Sequence, residues 1–339
     1  MKRLASAATL ALGLMTVSAF AADMKVKAKA PEPPPSPWDF AFGSALMSDY
    51  NFRGVTQSNH KPSASAYFEP RYNFSDTLQG YAGVSGESIA FPNRAAAEID
   101  WYGGIRPTLG KLALDFGFWY YWYPGGQCFN ANVAPLAPQS SSCVADGFLP
   151  INGNVIKADL SFWEFYAKAT YTLNDQWSYG GNVWYSPSVL NSGADGTFLA
   201  GNLTYNVPGT FLPMFPGGVT ASISADIGYW WLGTSDSFYG VINPAGLPNF
   251  TNGIPYKSYA TWDAGLTLNW KKFSLDLRYY DTNLTKGDCN AFTSSQTASF
   301  PSNAFTPINP SGASSNWCSS AFVVKFSTAL TLADLAPAK

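Results

Sequence analysis

The sequence predicts an all-β chain: a transmembrane, antiparallel, up-and-down β-barrel of about 12 strands. Three observations predict it. Only 12% of the 339 residues are charged while 16% are aromatic, against about 25% charged in an ordinary soluble chain. Beyond the N-terminus there is no run of about 20 apolar residues, the length a membrane-crossing helix needs. The long charge-free stretch 197–225 holds Pro208, Pro213, Pro216 and the pair Gly217-Gly218, so it cannot be one helix. From Trp38 onward, apolar residues recur with period two, the period of a strand with two different faces.

Composition also excludes whole classes of function. A chain that is 46% hydrophobic is not disordered. With 20 basic against 22 acidic residues and a pI near 5.4, phosphate-neutralising binding to nucleic acid is not expected.

Taken in order, residues 1–21 read as a secretory signal. Lys2 and Arg3 precede an apolar stretch, and Ala19-Phe20-Ala21 has the small-x-small form of a cleavage site. Residues 22–37, rich in Lys, Ala and Pro, read as an extended periplasmic lead-in. The barrel is expected over 38–332, with a C-terminal tail at 333–339. Its first strand shows Trp38, Phe40, Phe42, Leu46, Tyr50 and Phe52 on one face, and Asp39, Asp49 and Arg53 on the other. The second has Phe68, Tyr72 and Phe74 outward, with Pro70 as a flaw that implies a bulge or a later start. The third covers 78–87. The fourth sets Ile99, Trp101 and Ile105 against Glu98, Asp100, Tyr102 and Arg106. The fifth sets Leu112, Leu114, Phe116 and Phe118 against Asp115 and Trp119. Further strands are expected at 163–173, 177–185, 199–207, 219–231, 259–270, 273–280 and 322–332.

Joints at 75–77, 109–111, 174–176 and 271–272 are turn-length, whereas 46–62, 124–155, 233–257 and 283–317 are long. Short turns at one end and long loops at the other are the pattern of bacterial outer-membrane barrels, and an even strand count leaves both termini at the short-turn, periplasmic end. The outward Trp38, Tyr72, Trp101, Tyr120, Trp122, Trp163, Trp231, Trp262, Trp270 and Tyr279 fall near strand ends, where amphipathic rings meet lipid headgroups.

The four cysteines lie in two long loops, Cys128 and Cys143 in one, Cys289 and Cys318 in the other. An exported chain favours disulfides, and of three possible pairings the local ones are expected, each stapling one loop. No metal site is expected, because the one histidine, His60, is far from them in sequence. His60 itself, beside Ser58 and Ser63, reads as a solvated loop residue and not as a catalytic base. Neither an enzyme nor a cofactor is expected.

The inward parity defines the lumen. Its acids are Asp49, Glu69, Glu87, Glu98, Asp100, Asp115, Glu164, Asp226, Asp263, Asp276 and Asp281; its bases are Arg53, Arg71, Arg106, Lys168, Arg278 and Lys325. The acidic excess predicts a mild preference for cations. Inward rings such as Tyr67, Tyr81, Trp119, Tyr121, Trp184 and Trp230 predict a narrow or partly occluded passage. The expected function is therefore passive diffusion of small hydrophilic solutes or ions across an outer membrane. The alternative is a structural or adhesive surface barrel with a closed lumen.

The stretch Ser48-Asp49-Tyr50-Asn51-Phe52-Arg53-Gly54-Val55-Thr56-Gln57-Ser58 resembles the opening motif of the TorF family of porins, of the Gcw_chp type. Glu98-Ile99-Asp100-Trp101-Tyr102-Gly103-Gly104, Tyr120-Tyr121-Trp122-Tyr123-Pro124-Gly125 and Leu277-Arg278-Tyr279-Tyr280-Asp281-Thr282-Asn283 resemble its later signatures. The resemblance implies an outer-membrane barrel exported by a signal peptide and inserted by the assembly machinery, with lipid as its surroundings. The stapled loops and the polar tail after the last strand depart from that pattern, which places any aromatic assembly signal inward, at Phe326. On this reading Arg53 sits at the pore mouth, where it either gates or forms a structural ion pair.

Overall fold

Each of the twelve expected segments contributes a strand to one closed sheet in the computed structural model, which describes residues 37–128, 154–209 and 218–335. In chain order the elements begin with β1 (Trp38–Met47), followed by a small hairpin of β2 (Asn51–Phe52) and β3 (Val55–Thr56). The wall continues with β4 (Ser63–Ser75), β5 (Leu78–Glu87), β6 (Glu98–Leu109), β7 (Leu112–Trp122) and β8 (Phe162–Thr172). It is completed by β9 (Trp177–Ser186), β10 (Gly196–Val207), β11 (Val219–Leu232), β12 (Tyr259–Trp270), β13 (Phe273–Thr282) and β14 (Ala321–Thr331). Twelve of these form the barrel; each pairs antiparallel with its neighbours, and β1 closes it against both β4 and β14. Closure matters physically, since no strand edge is left with unpaired backbone donors.

Parity separates the two faces. On β11, Ile227 is 66% exposed and Trp230 only 2%. Ile223, Ala225, Tyr229 and Trp231 point out with Ile227, and Ser222, Ser224 and Asp226 point in with Trp230. The same division gives an outward belt of Phe68, Trp101, Phe116, Phe165, Leu199, Leu266 and Phe322. Apolar surface of this extent costs about 25 cal/mol per Å² in water, so its natural medium is lipid. Among the described residues no helix is long and apolar enough to cross a membrane.

Three expectations need correction. The first strand does not run on through Tyr50 and Phe52 to an outer girdle: β1 stops at Met47, and the chain folds back into the barrel as the β2–β3 hairpin. Pro70 neither bulges nor delays its strand. It sits in β4 opposite Phe40, while the β4–β5 ladder simply skips Glu69 and Pro70 and shifts register later, between Asn73 and Ser75. Asp281 does not line the lumen, because it has the parity of Tyr279, whose hydroxyl donates to it at 3.0 Å on the outer face.

At the long-loop end, the connections pack into an apolar cap. A short helix, α1 (Lys286–Thr293), lies in the β13–β14 loop and directs Phe292 onto Trp230, Tyr256 and Tyr259. The Cys289–Cys318 disulfide closes this loop. The other expected pairing falls on Cys143, which lies outside the described residues, as do the signal and nearly all of the lead-in. At the other end of the chain, β14 gives way to one helical turn, α2 (Leu332–Leu335).

Candidate functional site

The hairpin is the centre of the site, and local sequence explains its shape. Its two turn residues, Arg53 and Gly54, have φ of 51° and 81°. Positive φ at both central positions is what a two-residue hairpin turn requires, and it is costly for arginine. Asn51 Oδ1 steadies the turn by accepting from the Gly54 amide at 2.9 Å. Behind the turn, Asp49 gathers the returning strand, accepting from Thr56 Oγ1 at 2.5 Å and Ser58 Oγ at 2.8 Å.

From β1 the hairpin crosses the lumen to the opposite wall. There the Arg53 guanidinium donates from Nη1 and Nη2 to the two carboxylate oxygens of Glu164 on β8, both at 2.8 Å. Tyr121 donates to the same carboxylate at 3.0 Å, and Tyr259 donates to the Arg53 carbonyl at 3.0 Å. The guanidinium also lies over the rings of Phe52, Phe198 and Trp230, 4.4–4.6 Å from their centroids. Arg53 and Glu164 side chains are 6% and 0% exposed. Gly54 is wedged against β12 and β13; a Cβ there would come within 2.2 Å of Thr282 Cγ2 and 2.6 Å of Thr261 Oγ1.

Below the hairpin three arginines pair with lumen acids. Arg106 donates to Glu69 at 2.7 and 3.1 Å and to Asp115 at 3.3 Å, and Arg71 donates to Glu69 at 2.6 Å. Tyr81 donates to Asp115 at 2.5 Å and also contacts the Tyr166 hydroxyl. Lys168 lies 4.5 Å from the Tyr166 ring centroid and 4.6 Å from that of Trp184. On the other wall Arg278 bridges Asp263 at 2.5 Å and Asp276 at 3.0 Å. Asp226 faces inward directly opposite Asp263, and Lys325 directly opposite Asp276.

A separate group lies beside the hairpin's root. Carboxylate oxygens of Glu87, Glu98 and Asp100 lie within 4.8 Å of one another. Tyr50 donates to Glu98 Oε1 at 2.6 Å and Tyr123 to Glu98 Oε2 at 2.8 Å. Burial, and after it the charge of Glu98, pushes the Tyr50 phenol well above its usual range, so it stays a donor.

His60 is not the free loop residue that the sequence suggested. Its Nδ1 donates to Asp49 Oδ2 at 2.9 Å and its Nε2 to the Asn316 carbonyl at 2.9 Å. Two acceptors on two ring nitrogens require the imidazolium. The Asp49 hydrogen bond is the main force raising its pKa. A raised folded value means the stabilisation is complete below about pH 6.5 and disappears as pH climbs through that folded value. The His60 side chain is 34% exposed, so the gain is about 1 kcal/mol or less. Melting of wild type against His60→Gln should show a gap at about pH 5.5 that closes at about pH 9; a constant gap would contradict the assignment. Ser58 donates to Asp49 and to the Lys61 carbonyl, not to the ring, so the three side chains do not form a nucleophile–base–acid relay.

Sequence reasoning placed the lumen charges by parity but missed Phe162, Phe198 and Tyr259, which also line the interior. At these strand ends apolar residues stand on both faces and erase the period-two signal that would have assigned them inward.

No curated protein matches the chain in sequence. Among solved structures, the NanC porin aligns over 86% of this chain and 98% of its own, at 8% identity and a TM-score of 0.37. LpxR from Salmonella typhimurium aligns over 86% and 99%, at 8% identity and a TM-score of 0.37. A loop-deletion mutant of OmpT, an outer membrane protein of Vibrio cholerae, aligns over 86% and 98%, at 8% identity and a TM-score of 0.32. Residues 31–186, a little under half of the chain, match the family described as "Bacterial protein of unknown function (Gcw_chp)".

Proposed function

We propose that this chain is an outer-membrane porin of the TorF type whose resting state is closed by its own β2–β3 hairpin. The observation that carries this reading is the Arg53–Glu164 pair, which holds the hairpin tip across the lumen from β1 to β8. A barrel with a polar, charge-lined interior below a removable obstruction supports passage of small hydrophilic solutes or ions once the hairpin swings out. The excess of inward acids over bases supports a mild preference for cations. Export by the N-terminal signal, insertion by the assembly machinery and residence in a Gram-negative outer membrane complete the proposal, which includes no enzymatic step and no cofactor.

A second reading is favoured by one observation. The loops at the outer end pack Phe91, Tyr123, Ile156, Val189, Tyr256 and Trp317 into an apolar cap around a cavity of about 50 Å³. Such a cap suits a sealed surface barrel. Planar-bilayer recording separates the two. Wild type should be nearly silent, and a variant with residues 51–56 replaced by a short Gly-Ser link should give frequent, cation-preferring steps. Silence from both would overturn the channel reading in favour of the sealed barrel, and anion-preferring reversal potentials would overturn the proposed selectivity.

A further inference from the structure

We propose that Glu87, Glu98 and Asp100 form a binding site for a hard divalent cation, calcium by its size and ligand chemistry. Three carboxylates on neighbouring inward positions of β5 and β6 are 6%, 2% and 3% exposed. Burying one unpaired carboxylate is already costly, and three with oxygens within 4.8 Å of one another repel strongly unless protons neutralise them or a cation joins them. Among the described residues no lysine or arginine pairs with any of the three, in contrast to Glu69, Asp115, Glu164 and Asp263, each of which has an arginine.

The second observation is the set of unused oxygens. Glu87 Oε2 and Asp100 Oδ1 are buried without a hydrogen-bond partner. So is the hydroxyl of Ser65, which is not part of the acidic group. Ser65 is 6% exposed and faces the lumen directly opposite Glu87 in the β4–β5 ladder. Side chains directly opposite on one face of a sheet lie about 5 Å apart, within reach of a shared ion. Buried polar atoms are nearly always satisfied, so three orphaned oxygens around one acidic cluster point to a missing positive partner.

The donor set selects the ion. All the donors are oxygens, which suits calcium, magnesium or manganese and not zinc or copper. Calcium–oxygen bonds of about 2.3–2.6 Å put opposite ligands 4.6–5.2 Å apart, which accommodates the observed spread, and calcium tolerates irregular geometry where magnesium does not. The site is independent of whether the barrel conducts, so the bilayer experiment and the one below can fail separately.

The test uses full-length protein refolded either with EDTA or with calcium chloride, so that access to a closed lumen is not a factor. Terbium serves as an oxygen-seeking luminescent probe, excited through Tyr50 and Tyr123, which both bond to Glu98. Wild type should show sensitised terbium emission that calcium displaces, and a melting temperature about 5 °C higher in saturating calcium. The variants Glu87→Gln and Asp100→Asn keep the shape and remove the charge. Each should weaken binding at least ~10-fold, while melting at least as high as wild type in EDTA because the buried repulsion is relieved. Asp226→Asn, which changes a different inward acid, should retain the calcium response. Wild-type melting that ignores calcium, or terbium emission equal in wild type and the Glu87→Gln/Asp100→Asn double variant, would overturn the proposal.

Discussion

Arg53→Ala should destabilise the closed barrel by about 3–5 kcal/mol, the cost of leaving one member of a buried ion pair without its partner. The stranded group is Glu164, which is fully buried, loses two hydrogen bonds and, among the described residues, keeps the one from Tyr121. The change also removes the cation from the faces of Phe52, Phe198 and Trp230, so the aromatic wall loses what it packs on. Three variants apportion the effect. Glu164→Gln keeps an acceptor and should cost less than Arg53→Ala. The Arg53→Ala/Glu164→Gln double variant should cost less than the two singles added, because no buried charge remains unpaired. Gly54→Val leaves every charge in place but puts carbon atoms where Thr261 and Thr282 already stand, so it should expel the hairpin by contact alone. Urea unfolding measures the first three, and bilayer conductance reads all four. If Arg53→Ala unfolds like wild type and stays silent in bilayers, the pair does not hold the hairpin.

The barrel wall was legible because its determinants are local. Parity at Ile223 to Trp231, or at Leu112 to Trp122, needs only the sequence of one strand and the pleat of its backbone. The hairpin was not legible for a related reason. Asp49-Tyr50-Asn51-Phe52-Arg53 alternates as well as any strand, and alternation cannot distinguish a strand facing lipid from one facing the inside of its own barrel. What decides is the partner: Glu164, Phe198, Trp230 and Tyr259 are more than a hundred residues away. A local clue did exist in Arg53-Gly54, since a glycine after alternating residues fits a two-residue turn. Asp281 shows the converse error, in which a charge was assigned to the lumen because it was a charge, although its parity with Tyr279 places it outside. The role of His60 was hidden for the same reason as the hairpin, because Asn316, one of its two acceptors, is 256 residues distant.

Replacing Cys289 and Cys318 together by serine should release the cap while leaving the wall intact. The bridge closes a loop with a sequence separation of 29 residues, and the chain-entropy relation assigns such a loop about 3.5 kcal/mol. The loss should be local, because the β13–β14 loop meets the hairpin and not the lipid face. The Trp317 carbonyl accepts from the Thr56 amide at 2.9 Å, and the Trp317 indole donates to Asn59 at 2.9 Å. Thr282, one of the two residues that crowd Gly54, donates to the Cys318 carbonyl at 2.8 Å. Opening the bridge therefore loosens the segment that latches both the root and the tip of the hairpin. Local opening of that size raises the population of cleavable loop by about 300-fold at roughly 1.4 kcal/mol per factor of ten, so protease added to the refolded protein should cut within 283–320 that much faster. The strands should remain protected, since their hydrogen bonds run around a closed sheet. If the serine variant is cut no faster than wild type, the packed cap alone holds the loop, and the bridge contributes little to keeping the hairpin in place.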